Sequence, residues 1–338
     1  MKAKAPMLFA IATTSISLAL LGGNLISTFA LADPVAENTV NSTLFNFDKA
    51  GEATSTEGTT STEEATSTGG TTSTATVEEN PVEENSVGFQ LGSTKKTSIS
   101  VELSEYNDIP YCLIETDLAY LSDLRTAMAE DSSGKIGVNI KSSFSELIEN
   151  AEGDPILAID GDFPFWSTSR KGYVIRNGVG FRSSTRTDDG DDLAIFKNGS
   201  FLIYSESDYS YDDIMDANEG CWQNWSFGPS LIKDGAINVA EDEEVSGKSM
   251  SANQRVAMGI KEDGTFYFLC SELDGNRQKG DGLSLYELAG ILLDQGCVAA
   301  YNFDGGGSAA LYYNLNGEDH YFIDPSRELG DIVYVVAS

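Results

Sequence analysis

The sequence predicts an α+β fold: a mixed, largely antiparallel sheet with a few packed helices, preceded by a signal peptide and a disordered linker. Three observations predict it. Pairs of short apolar runs meet across glycine-bearing turns, two Ser-x-x-Glu boxes open apolar helical patterns, and residues 1–97 carry neither signal.

The chain opens on Met1-Lys2-Ala3-Lys4, continues with a mostly apolar stretch from Met7 to Leu31, and reaches Ala30-Leu31-Ala32 before Asp33. A basic start, an apolar middle and a small-x-small end describe a secretory signal peptide over 1–32, and hence a secreted, extracellular or cell-wall-associated product. The stretch is long enough to approach a membrane span, but its scattered Thr and Ser favour removal, so no stable span is expected after cleavage. Residues 33–97 follow as a linker rich in Thr, Ser, Glu and Gly. Its centre, 54–77, is four six-residue units (Thr54–Thr59, Thr60–Ala65, Thr66–Thr71, Thr72–Val77), each opening Thr-Ser-Thr. Such a tract buries too little to offset the entropy of ordering its backbone, and it reads as a spacer open to O-glycosylation.

Residues 98–338 suffice for one large domain with its own core. The whole chain carries 53 Asp and Glu against 21 Lys and Arg, a formal charge of −32. From Val101 onward the count is 42 against 16, a difference of −26, so the acidity belongs to the domain. Nucleic acid is excluded as a partner, because a phosphate backbone needs basic patches. An anionic substrate must be held by local donors against an adverse long-range field. The four cysteines, Cys112, Cys221, Cys270 and Cys297, are even in number, and an exported chain can close them into two disulfides with three connectivities; buried free thiols are the alternative. The single histidine, His320, lies in a polar run with no nucleophile elbow beside it and reads as a loop or strand-edge residue.

Along the domain, Thr116–Glu130 places Leu118, Leu121, Ala127 and Met128 on an imperfect helical period and is read as a helix. Ser143 and Glu146 form a capping box for a second helix over about 143–151, after which Pro155 forces extension and Ile156-Leu157-Ala158-Ile159 reads as a buried strand. Asp192–Phe196 and Phe201–Tyr204 flank Lys197-Asn198-Gly199-Ser200, a hairpin whose two central residues are expected at positive φ. Val256–Ile260 and Thr265–Cys270 form a second hairpin. Ser284 and Glu287 then box a helix with Leu285, Leu288, Ala289, Leu292 and Leu293 on its apolar face, and Gly296 stops it. The strand that follows delivers Asp304.

Two strand ends carry carboxylates in apolar surroundings: Ile159-Asp160-Gly161-Asp162-Phe163 and Asn302-Phe303-Asp304, the latter running into Gly305-Gly306-Gly307-Ser308. Alternation would place Asp160 and Asp162 on one face, if the strand persists through Gly161. Paired carboxylates at neighbouring strand ends suit glycoside chemistry, with one as acid or base and another as nucleophile or charge stabiliser. Clustered oxygens would also suit Ca²⁺, although nothing in the sequence requires a cofactor. The bare backbone of Gly305–Ser308 offers N–H groups to an anion, and Arg255, at the head of a core strand, offers a guanidinium fork. Phe227-Gly228-Pro229-Ser230 makes a sharp loop able to line a pocket.

Taken in order, these blocks, with Arg255-Val256-Ala257-Met258-Gly259-Ile260, Gly282–Ala289 and Tyr301-Asn302-Phe303-Asp304-Gly305-Gly306-Gly307-Ser308, resemble the phosphodiester glycosidase domain family over 150–338. Arg327 before Asp331-Ile332-Val333 fits the family's closing strand. The family usually carries Asn where this chain has Asp160, and Pro-Arg-Thr where it has Gln254-Arg255-Val256. The resemblance implies hydrolysis of a sugar-1-phosphodiester, such as an N-acetylglucosamine-1-phosphodiester, in an envelope or extracellular glycan. Asp304, with Asp162 or Asp160, would act on the sugar side. Arg255, Asn302, Gly305, Gly306, Gly307, Ser308, Gly228 and Ser230 would surround the substrate and its phosphate. A different reading is a non-catalytic module that binds wall glycan or a teichoic-type polymer in the same pocket.

Overall fold

A computed structural model of the chain describes residues 96–241, 253–273 and 282–338. The expectations for the signal peptide and the repeat linker lie outside the described residues. In chain order the first elements are β1 (Ser98–Tyr106), β2 (Ile109–Asp117), β3 (Leu124–Met128), α1 (Phe144–Glu149) and β4 (Pro155–Asp160). A middle group follows: β5 (Val174–Arg176), β6 (Val179–Arg182), β7 (Asp191–Phe196), β8 (Phe201–Ser205), α2 (Tyr211–Asp216) and β9 (Cys221–Trp225). The last group is β10 (Ser230–Lys233), β11 (Ala236–Ile237), β12 (Arg255–Ile260), β13 (Phe266–Ser271), α3 (Leu285–Asp294), β14 (Ala299–Asn302), β15 (Leu311–Leu315), β16 (Glu318–Ile323) and β17 (Asp331–Val336).

These strands make three sheets. Their orders are β1-β2-β13-β12-β14-β10-β11, β16-β15-β4-β17-β3 and β6-β5-β9-β7-β8. The α+β class stands, while every pairing among the described strands is antiparallel rather than mixed. One apolar core joins all three sheets: Ile114, Val256, Met258 and Tyr301 from the first, Leu157, Leu311 and Val333 from the second, Leu193, Ile195 and Trp225 from the third. Helix α3 covers the opposite face of the first sheet with Leu285, Leu288 and Leu292, against Ala257, Leu269 and Ala300. Helix α1 covers the second sheet with Phe144 and Leu147, against Ala158, Ile332 and Tyr334.

Local chemistry explains the ends of these elements. Ser143 and Ser284 each close a reciprocal box with the glutamate three residues on, as their spacing predicted. Ser210 and Asp213 do the same for α2, with the shorter acid as the box partner. Both predicted hairpins form, but with a different turn. Gly199 donates its N–H to the Phe196 carbonyl and Phe196 donates to Ser200, and only Gly199 takes positive φ. Lys261–Thr265 repeats the pattern with Gly264 at φ +87. One glycine after an ordinary turn supplies the twist that two positive-φ residues were expected to give.

The helix expected over Thr116–Glu130 is replaced by the end of β2, a short 3-10 turn at Leu121–Asp123, and β3. Leu124 and Thr126 face inward while Arg125 lies between them, a period of two, and β3 pairs with β17. Pairing with a distant strand overrode a weak helical period. The four cysteines are buried free thiols and make no disulfides, although Cys112 and Cys270 stand opposite each other on β2 and β13. Burial pushes the Cys112, Cys221 and Cys297 thiols up to about 12, which suits packing rather than reactivity. His320 lies on the edge strand β16, stacked on Tyr313 with ring centres 4.9 Å apart.

Candidate functional site

The site forms where the first two sheets meet. Strand β14 runs between β12 and β10, and just beyond its end Phe303 donates its N–H to the Val256 carbonyl. The next residue, Asp304, crosses to the other sheet and donates its N–H to the Gly161 carbonyl at 3.0 Å. Gly161 itself donates to the Asp331 carbonyl at the start of β17. Three separate strand ends thus converge on one point. The Asp304 carboxylate is oriented on both oxygens: Oδ1 accepts from the Gly305 N–H at 2.8 Å, and Oδ2 accepts from Ser308 Oγ at 2.9 Å and from Arg327 Nη2 at 3.1 Å. Arg327 Nε also donates to Ser308 Oγ at 2.5 Å, closing an Asp304–Ser308–Arg327 triangle. The Arg327 side chain is 56 % exposed and that of Asp304 17 %, so the triangle sits at an open surface.

The glycines after Asp304 serve this triangle more than they leave open space. A Cβ on Gly305 would lie 2.8 Å from the Gln254 carbonyl oxygen, and one on Gly307 would lie 2.9 Å from Ser326 Oγ. Gly306 has φ +60, a conformation that favours glycine. Gly306 donates its N–H to the Gln254 carbonyl and Ser308 donates to Gly305, while the Gly305 N–H is held by Asp304. The expectation that the N–H groups of Gly305, Gly306, Gly307 and Ser308 together cradle a phosphate is therefore corrected: those of Gly305, Gly306 and Ser308 are already engaged within the protein.

Beneath Asp304 lies a buried acidic floor. Strand β4 ends at Asp160, so Asp160 and Asp162 do not share a strand face. Asp160 is 1 % exposed and its Oδ2 has no hydrogen-bond partner; burial, then the charges of Asp304 and Asp331, push its carboxyl well above the usual range. Asp162 turns the other way. Its Oδ1 accepts from Arg176 Nη2 and its Oδ2 from the Ser226 N–H, with no exposed surface. Burial would raise its pKa, but the charges of Arg176 and Arg170 outweigh that and hold it below the usual value. Arg176 also reaches Asp331 Oδ2 at 3.5 Å and lies over the Trp225 ring. Asp162 is thus a partner in a buried ion-pair network, not a group that faces substrate. Burial, and then the Asp162 charge, push Asp331 up to about 7.

Asp331 and Arg176 had no place among the sequence candidates. The available signal was a charged residue at one end of an otherwise apolar strand, Asp331-Ile332-Val333 and Val174-Ile175-Arg176. The network also holds Phe163 at φ +41, uncommon for a residue with a Cβ, through its N–H to Asp331 Oδ1 at 2.7 Å. Such strain persists only where the surroundings over-determine it.

Phe163, Asp304 and Arg327 open onto a cleft of about 890 Å³ that also reaches Trp166, Arg170, Ser226, Phe227, Gly228, Ser230 and Asp191. Five of the 16 basic residues after Val101 line it (Lys141, Arg170, Lys171, Arg186, Arg327) beside five acids (Asp188, Asp189, Asp191, Asp304, Glu328), so its charge is balanced where the domain as a whole is strongly acidic. Gly228 bends the wall at φ +73, where a Cβ would lie 3.3 Å from the Asp191 carbonyl oxygen. Ser230 is a support: its Oγ donates to Asp191 Oδ2 at 2.7 Å and accepts from Asn238. Asn302 is buried, its Nδ2 donating to the Gly228 carbonyl at 2.8 Å while Oδ1 lacks a partner. Arg255 does not line this cleft. It is buried, its Nε donating toward the Leu283 carbonyl at 3.4 Å, and burial lowers its pKa to about 10. Among the described residues no three His, Cys, Asp or Glu side chains gather as metal ligands would.

With this geometry in place, comparison with known proteins supplies a family. A family model described as phosphodiester glycosidase matches residues 153–336, more than half the chain. The catalytic domain of zebrafish N-acetylglucosamine-1-phosphodiester alpha-N-acetylglucosaminidase, in a structure auto-inhibited by its pro-peptide, superposes with a TM-score of 0.55 at 18 % identity, covering 74 % of this chain and 86 % of that one. At that identity the likeness is one of fold. A hypothetical protein from Synechocystis aligns at 14 % identity with a TM-score of 0.49, over 72 % of this chain and 62 % of its own. The SPbeta prophage-derived uncharacterized protein YomE of Bacillus subtilis (strain 168) is 24 % identical over 140 residues, 41 % of this chain and 21 % of YomE. The chain therefore spans about a fifth of that curated relative.

Proposed function

The chain belongs to the phosphodiester glycosidase family, and from that membership we propose that it is a secreted hydrolase that cleaves a sugar-1-phosphodiester, releasing the sugar and leaving a phosphomonoester. The observation that carries the proposal is the Asp304–Ser308–Arg327 triangle at the open edge of a cleft whose lining is charge-balanced in an acidic domain. A phosphodiester leaving group is already a weakly basic anion, so catalysis depends more on stabilising its charge than on protonating it. Arg327, with Arg170 farther along the wall, is assigned the phosphate. The carboxylate of Asp304 faces the sugar side, stabilising the cationic centre or taking a proton from the attacking water.

Incubating the purified protein with a panel of sugar-1-phosphodiesters, N-acetylglucosamine first, with and without chelator, tests this. Release of free sugar is expected, and the chelator arm reads whether a metal takes part. A protein that retains wall polymer in a pull-down and frees no sugar from any member of the panel would be the binding module instead.

A further inference from the structure

Asp160 ends β4 under Asp304 in surroundings that do not suit a charge. Four charged or titratable groups face it from the elements around it. Asp304 approaches from beyond β14 and Asp331 from β17, both carboxyls; Cys270 on β13 is a buried thiol. Arg327 is the one cation among them, and its guanidinium is mostly in solvent, bonded to Asp304 and Ser308. Strand β15 adds no charge; the Ala310 carbonyl accepts the Asp160 backbone N–H. None of the ion pairs among the described residues includes Asp160, and its Oδ2 meets no donor.

An unpaired buried carboxylate beside two others is among the least favourable arrangements a fold can hold, and it is relieved by a proton. We propose that Asp160 is held as the neutral acid and acts as a positioning residue, an uncharged floor that leaves Asp304 and its triangle to carry the charge at the open side of the site. A protonated carboxyl and a carboxamide have the same shape, and each can donate from one terminal atom and accept at the other. Asp160 then does what an asparagine would do at that place and adds no repulsion to an incoming phosphate. Burial and the charges of Asp304 and Asp331 move the group toward its neutral form and outweigh the Gly161 N–H and the Arg327 charge, which act the other way. The value of this role to catalysis rests on the phosphodiester reading above; the protonation state does not.

The test compares the wild-type chain with Asp160→Asn and Asp160→Ala. Thermal melts between about pH 4 and 8 come first, because above about pH 4 an unfolded Asp ionises while the folded one keeps its proton. Rising pH therefore favours unfolding of the wild type. Wild type and D160N should melt closely together near pH 4, with D160N increasingly the more stable toward pH 8; Asp331 titrates in both and cancels. An infrared difference spectrum at neutral pH should show a protonated-carboxyl C=O band in the wild type that D160N lacks. Turnover of the sugar phosphodiester by D160N should stay close to wild type, while D160A, which lets Asp304 shift, falls by about 10²-fold. A melting difference that is flat or reversed with pH, or no missing infrared band, overturns the protonation. Both protonation readouts as expected with D160N inactive overturns the positioning role. The melts and spectra decide even if no sugar phosphodiester is a substrate.

Discussion

Replacing Arg327 with alanine should separate stability from activity. Its guanidinium makes two contacts in the triangle, Nε to Ser308 Oγ at 2.5 Å and Nη2 to Asp304 Oδ2 at 3.1 Å. The arginine side chain is 56 % exposed, so water screens the ion pair and competes for both bonds. A pair of this kind contributes only about 0–1 kcal/mol to folding. Ser308 Oγ and the Gly305 N–H still hold the Asp304 carboxylate without it. The same donors aimed at charge that develops in a transition state are worth far more: removing one costs about 10²–10³ in rate, or roughly 2.7–4 kcal/mol. R327A should thus melt within a few degrees of wild type while kcat/KM for a sugar phosphodiester falls at least about 100-fold. Urea unfolding followed by tryptophan fluorescence, beside initial rates of sugar release, measures both quantities on one preparation. Rates near wild type in folded R327A would refute the assignment of Arg327 to the phosphate, and a large loss of stability would refute the reading of the triangle as a surface device.

Other consequences concern the floor. Arg176→Met leaves Asp162 and Asp331 buried without their cation and should cost about 3–5 kcal/mol in urea unfolding, the range for breaking a buried pair from one side; less than about 1 kcal/mol would mean the network is not closed. Gly305→Ala brings a Cβ to 2.8 Å of the Gln254 carbonyl oxygen and should destabilise by roughly 1–3 kcal/mol and slow turnover through a displaced Asp304; wild-type stability and rate together would contradict the close packing. Asp331, raised to about 7, keeps its proton in the folded state where the unfolded chain loses it, so stability should fall as pH rises from about 4 to 7. In Asp331→Asn that slope should be shallower, as read by melts in matched buffers; an unchanged slope would show that Asp331 does not contribute to it.

How far the sequence could be read follows from which contacts are local. The capping serines Ser143 and Ser284, the glycines of both hairpins and the helix-stopping Gly296 act within a few residues of themselves, and their elements formed where expected. Asp304 was legible as a carboxylate after an apolar strand, and its glycines were legible as a place where side chains cannot fit. What fills that place was not. The Gln254 carbonyl, Ser326 and the Arg327 guanidinium reach it from other parts of the chain, and so the glycines read as a phosphate cradle. The same limit misassigned Asp162. Its partner Arg176 is 14 residues away and its neighbour Asp331 belongs to the last strand, so the spacing Asp-x-Asp suggested one face where the fold separates them. Strand β3 was lost because its inward residues make sense only against β17.

In the proposed reaction water attacks the sugar carbon and not phosphorus. Running the reaction of the wild-type chain in ¹⁸O-water with a sugar-1-phosphodiester, and weighing both products by mass spectrometry, tests it in one measurement. The label is expected in the released sugar and none in the phosphomonoester. Label in the phosphate, or release of a sugar phosphate and a free alcohol, would show P–O cleavage and contradict it.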